Sequence, residues 1–179
     1  RVPLARQRAL LDLALLDRAL SIGADPRDTA DEHFRRRLLV GVSLLILPVA
    51  FAWGCVYWAF GERWVAFTPW AYVAGSAISL AVFARTRNFA FLRTAQQLLI
   101  LIAPALGTIL VGGLEESSTV LLWSLLAPLG AVAFGEPGRA WPWFGAFVAT
   151  ILLSVALSKV VRPDAADLPN AFVRTFDLL

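Results

Sequence analysis

Long uncharged stretches alternate along this chain with short charged clusters. Five runs contain no Asp, Glu, Lys or Arg: Leu38 to Gly61, Trp64 to Ala84, Thr94 to Leu114, Ser117 to Gly135 and Ala140 to Ser158. Their lengths are 24, 21, 21, 19 and 19 residues. A helix needs about 20 apolar residues to cross roughly 30 Å of hydrocarbon. Lipid offers the backbone no hydrogen bonds, so a spanning segment must satisfy its own N–H and C=O groups as a helix. The pattern predicts an all-α polytopic membrane helix bundle with five full transmembrane helices. The spans fall near 38–61, 64–84, 94–114, 117–135 and 140–161. After the polar stretch Arg162 to Asp167, the chain turns apolar again from Pro169. That predicts the start of a sixth helix from about 169, cut short at Leu179. The first run is too long and too far into the chain for a cleavable signal peptide.

Residues 1–34 differ in kind and are expected to form a cytoplasmic N-terminal segment, with the transmembrane domain covering 35–179. Leu10, Leu13, Leu16 and Leu20 recur at spacings of three and four, while Arg8, Asp12, Asp17 and Arg18 occupy other faces. This is the spacing of an amphipathic helix. Gly23 and Pro26 end it. Thr29-Ala30-Asp31-Glu32 fits a capping box, with Glu32 reaching back to Thr29. A second helix is expected to start there and run through Arg35, Arg36 and Arg37 into the first span. The amphipathic helix either packs under the membrane domain or contacts a partner, and its periodicity does not choose.

Charge sharpens the picture. Sixteen basic residues against 13 acidic give a net charge of +3. With the N-terminus in the cytoplasm, twelve basic residues lie in inside segments (Arg1, 6, 8, 18, 27, 35, 36, 37, 85, 87, 93 and 139). Four lie outside: Arg63, Lys159, Arg162 and Arg174. That asymmetry follows the positive-inside rule. The basic balance therefore reads as orientation in the inner (plasma) membrane, not as a nucleic-acid interface. Trp58, Phe60, Trp64 and Phe67 cluster at the first hairpin, and Trp141, Trp143 and Phe144 open the fifth run, as an interfacial aromatic belt would. Composition agrees: 59% of residues are hydrophobic and 16% charged, and mean hydropathy is +0.70. That excludes an ordinary soluble domain.

Little chemistry is legible. The lone His33 lies outside every span, and the lone Cys55 allows no intrachain disulfide. No catalytic residue, metal ligand set or cofactor motif is predicted. No Asp or Glu falls deep in a run, which argues against an ion-coupled transporter. Gln96, Gln97, Ser76, Ser79, Thr108, Ser124 and Ser154 are the polar positions within the spans; interhelical hydrogen bonds are their expected use. Pro104 and Pro128 sit in similar contexts, Ala-Pro-Ala-Leu-Gly and Ala-Pro-Leu-Gly. Each removes a helical hydrogen bond. Paired breaks in two helices can mark a midplane binding site; a shared bend without ligand is the reading favoured here. Gly112-Gly113-Leu114-Glu115-Glu116-Ser117-Ser118 forms a short outer turn, whose Glu115, Glu116, Ser117 and Ser118 suit the start of the fourth helix. These eight positions (Gln96, Gln97, Pro104, Glu115, Glu116, Ser117, Ser118, Pro128) are the candidate signal or packing residues.

Three stretches carry a resemblance. They are Gly23 to Asp28 with Arg35-Arg36-Arg37-Leu38-Leu39-Val40, Phe83-Ala84-Arg85-Thr86-Arg87, and Ser117 to Gly130. Together they resemble the N-terminal six-helix membrane module of bacterial class III adenylate/guanylate cyclases. The resemblance runs from about Gly23 to the end. It implies a dimeric anchoring or sensory module followed by a cytoplasmic cyclase domain. That domain would make cyclic AMP from ATP with two divalent metal ions. None of its metal-binding or base-recognising residues has a matching position here. The chain starts at Arg1 and contains no Met, as expected of a module cut from a longer signalling protein. A small transporter-like bundle and a structural subunit of a larger membrane complex are the alternatives; solute flux would mark the first, and purification as a free homodimer would count against the second.

Overall fold

The computed structural model describes Leu20, Ile22, residues 29–113, Ser117, residues 120–134, Gly138 and residues 140–161, without the side chains of residues 159 and 161. Every regular element among the described residues is helical. Helix α1 spans Ala30–Ala59, α2 Arg63–Thr86 and α3 Phe89–Val111. A 3₁₀ segment, Val120–Leu125, runs into α4, Leu126–Phe134. Helix α5 spans Ala140–Val161. The amphipathic stretch before Leu20 and the expected sixth helix lie outside the described residues.

Local chemistry sets the helix ends. The Thr29 hydroxyl accepts from Glu32 N–H at 3.3 Å, and the Glu32 carboxylate accepts from Thr29 N–H at 2.9 Å. The capping box is therefore formed, and α1 runs unbroken through its three arginines. The α2–α3 connection is only Arg87 and Asn88. Arg87 takes a left-handed conformation (φ 54°), and the Asn88 side chain caps α3 by accepting from Phe91 N–H at 3.0 Å. Gly112 and Gly113, both with φ near +125°, end α3, a conformation that Cβ-bearing residues avoid.

Among the described residues, four helices are long and apolar enough to cross a membrane: α1, α2, α3 and α5. The fourth uncharged run departs from expectation. Its described part is a composite helix, Val120–Phe134, with residues 118, 119 and 135 outside the described residues. Six 3₁₀ and nine α residues give roughly 25 Å of rise, short of the hydrocarbon thickness. Pro128 explains the break. It has no N–H to offer the Ser124 carbonyl, so the turn upstream takes the tighter 3₁₀ form. Helix α3 also departs. It starts at Phe89 rather than Thr94 and contains Arg93. The Arg93 guanidinium bonds the Phe134 carbonyl at 3.0 Å, a cation at the negative end of α4. Charged clusters thus bound the apolar stretches without bounding the helices.

Helix α3 is central. It packs on α2, on the composite helix and on α5. Helix α1 packs on α2 and barely touches α3 or α4. At the arginine-rich end, Leu39, Val40, Leu80, Phe83 and Leu92 form one buried cluster, joined by Ile22. Leu20 lies against Gly41, where an added Cβ would stand 3.0 Å from it. At the far end Tyr57, Val65, Ala66 and Val111 pack together. Leu101, Ala127 and Phe147 join α3, α4 and α5. Trp64 and Trp141, 78% and 76% exposed, mark opposite ends of the bundle.

Candidate functional site

Gln96 and Gln97 follow each other on α3, so they point about 100° apart. Gln96 faces α2. Its Nε2 donates to Ser76 Oγ at 2.8 Å and Ser79 Oγ at 2.9 Å, while Ser76 Oγ donates to its Oε1 at 3.1 Å. Ser79 Oγ in turn donates to the Ser76 carbonyl at 2.8 Å. Gly75 lets the two backbones close in; a Cβ there would meet Leu99 at 2.8 Å. Gln97 faces α4. Its Nε2 reaches the Ala127 carbonyl at 3.4 Å, at the long limit of a hydrogen bond. No other hydrogen bond joins Gln97 to the described residues. It is nonetheless 5% exposed.

Pro104 lies in the interior of α3. Its ring excludes the Ile100 carbonyl from helical bonding and disturbs the turn before it. Ser124, on the 3₁₀ segment, donates its hydroxyl to the neighbouring Leu101 carbonyl at 2.9 Å. The turn before Pro104 and the 3₁₀ segment before Pro128 are therefore tied by one hydrogen bond. The hydroxyls of Thr108 and Ser154 are fully buried and have no hydrogen-bond partner.

Between α1 on one side and α3 with the composite helix on the other runs a cleft with two adjoining cavities. Ile46, Tyr72 and Ile100 line both. One cavity, about 220 Å³, lies toward the arginine-rich end and has Gln96, Gln97 and Ser43 in its wall. The other, about 100 Å³, lies toward the far end against Pro104, with Trp53, Tyr57, Tyr72 and Trp123 in its wall. No charged residue lines either.

Three candidates from the sequence meet this cleft. Gln96 and Gln97 line one cavity, and Pro104 lines the other. Pro128 is buried beside Ala127 without reaching it. Ser117 is buried in the far-end turn, and its carbonyl accepts from Val120 N–H at 3.1 Å, starting the 3₁₀ segment. Glu115, Glu116 and Ser118 lie outside the described residues. The aromatic wall was not anticipated. The residues of the expected belt lie at helix ends, whereas Trp53, Tyr57, Tyr72 and Trp123 face the cleft. One signal was available: the chain has only two tyrosines, and Tyr72 falls well inside its span, where an interfacial belt does not reach. Among the described residues no three His, Cys, Asp or Glu side chains come together.

The fold and the cleft together define a multi-helix membrane-type bundle with an uncharged internal groove. No family model matches the chain, and no curated protein or solved structure is similar to it.

Proposed function

We propose that this chain is the membrane-anchoring and sensory module of a class III nucleotide cyclase, and that its cleft receives the signal. The cleft itself carries the sensory part: it separates α3, which Pro104 interrupts, from α1, which is held through α2 and hardly touches α3, and it is lined by uncharged groups. A molecule seated there would act on the angle between α1 and the rest of the bundle. The cyclase part rests on the resemblance of the arginine-led first span, the Phe83–Arg87 end of α2 and the Ser117–Gly130 stretch. In this reading the N-terminus is cytoplasmic, the membrane is the bacterial inner membrane, and two copies associate as the output domain requires. The two divalent ions that the resemblance implies for the reaction would be held by that output domain. The uncharged lining favours sensing over ion-coupled transport.

The test uses the longer protein. Joined to the sequence that follows it in its gene, the chain should convert ATP to cyclic AMP. Ala103 stands beside Pro104 in the wall of the smaller cavity, and filling the cleft by Ala103→Trp should change that rate at least threefold while leaving the module in the membrane. Absence of a nucleotide-binding domain downstream would overturn the cyclase reading. An unchanged rate in the filled variant would overturn the sensory one.

A further inference from the structure

We infer that the cleft is a binding site for an uncharged single-chain lipid with a hydroxyl or carbonyl head, the head at Gln97 and the tail between the aromatic side chains near Pro104. This rests on the sensory reading only for its consequence, not for the binding itself. Gln97 is the starting point. A buried amide is expected to have its hydrogen bonds made, yet this one has a single contact at 3.4 Å and forms part of the wall of the larger cavity. It offers both a donor and an acceptor, the complement of a hydroxyl or a carbonyl. Gln96 beside it is already engaged by Ser76 and Ser79, so only one of the two amides is available.

The rest of the cleft selects the remainder of the ligand. Seven residues of α3 separate Gln97 from Pro104, about 10 Å of helix rise. Over that distance the wall changes from amide to aromatic and aliphatic, through the shared residues Ile46, Tyr72 and Ile100. That is room for a chain, and Thr68 in the wall there already donates its hydroxyl to the Val65 carbonyl at 2.8 Å. The combined volume, on the order of 300 Å³, is at the small end for a ligand pocket, which fits one chain rather than two. An ionised head is disfavoured because no charged side chain lines the cleft to pair with it. The rim residues Val42, Val49, Leu126 and Leu129 are exposed, so the entrance is apolar and opens sideways, where lipid would lie.

The probe is 1-dodecanol carrying a diazirine at its tail end, added to the full chain in phosphatidylcholine nanodiscs and photolysed. Labelling should concentrate on peptides holding Trp53 and Trp123. Unlabelled dodecanol and decyl-benzoquinone should compete, while dodecane and dodecanoate should compete at least fivefold less well. Gln97→Leu should weaken labelling at least fivefold, and Ala103→Trp should abolish it, each with helicity and particle size unchanged. If Gln97→Leu does not fold, Gln97→Ala serves instead, with a similar loss expected because it too removes the amide. Labelling spread equally over the exposed face of α5, equal competition by dodecane, or no labelling because the chain or a second copy fills the cleft would each overturn the site. If labelling behaves as expected but dodecanol leaves cyclic AMP output of the longer protein unchanged, the site stands and the sensory reading falls.

Discussion

Gln96 and Gln97 differ by one position and serve different ends. Gln96 closes a network with Ser76 and Ser79. Interhelical hydrogen bonds in membranes contribute on the order of 0.6 kcal/mol each. Gln96→Leu should therefore destabilise the bundle by about 1–2 kcal/mol in a detergent-unfolding titration, and Ser79→Ala by less. Gln97→Leu should cost little, because one long bond is lost and an apolar side chain suits the cavity wall. Gly54 is the sharpest steric position. A Cβ there would fall inside the indole of Trp70, whose Nε1 donates to the Phe51 carbonyl at 3.3 Å and whose ring stands against Phe51 and Trp58. Gly54→Ala should cost about 1–3 kcal/mol by overpacking and shift the tryptophan emission. Thr29 and Glu32 show how pH enters. The Thr29 backbone N–H, then its hydroxyl, hold the Glu32 carboxyl below its ordinary value of 4.5. A depressed folded-state value means the carboxylate's support is present above the ordinary value. It is lost as pH falls through the lowered one. The first turn of α1 should loosen in acid over that window, seen in the amide NMR shifts of Glu32 and His33. Thr29→Ala should bring the carboxyl titration back toward its ordinary value.

At the scale of the element, the prolines decide more than the hydropathy does. Pro128 turns an uncharged 19-residue run into a 3₁₀-to-α composite of 15 residues. Pro104 leaves the Ile100 carbonyl of α3 without its helical partner, one residue from where Ser124 reaches across to the Leu101 carbonyl. Ser124→Ala should leave that carbonyl without its interhelical donor and cost about 1 kcal/mol. Capping was readable in the sequence at Thr29, because the box has a fixed spacing of three. The start of α3 was not, because Asn88 follows two arginines and Arg93 comes within its first turns; the partner that takes up its guanidinium, the Phe134 carbonyl, lies 41 residues away.

At the scale of the molecule, the arrangement is the reverse of a soluble protein. Ser43, Ser76, Gln96, Gln97, Thr108 and Ser124 are buried, while Leu45, Ile78, Leu152 and Val160 are exposed. Large exposed apolar surface of this extent needs an apolar surrounding. The helices alternate in direction, so the Gly61 turn and the Arg87 turn stand at opposite ends. In a Cys55→Ser background, Glu62→Cys should react with a membrane-impermeant maleimide from outside intact cells, and Arg87→Cys only after permeabilisation. The opposite result would reverse the orientation that the twelve-to-four arrangement of basic residues predicts.

The sequence alone was enough to find the apolar helices, their approximate ends and the small and polar residues that join them, because 20-residue uncharged runs and capping spacings are local signals. Which face of each helix meets a neighbour was not readable there. In a soluble helix, the buried side is apolar and the wet side polar, so the pattern reveals both. In a membrane helix, lipid and protein interior are both apolar, and the two sides look alike. The cleft, the separate uses of Gln96 and Gln97, and the inward turn of Tyr72 exist only once α1 stands off from α3, and that separation is a property of the packed bundle.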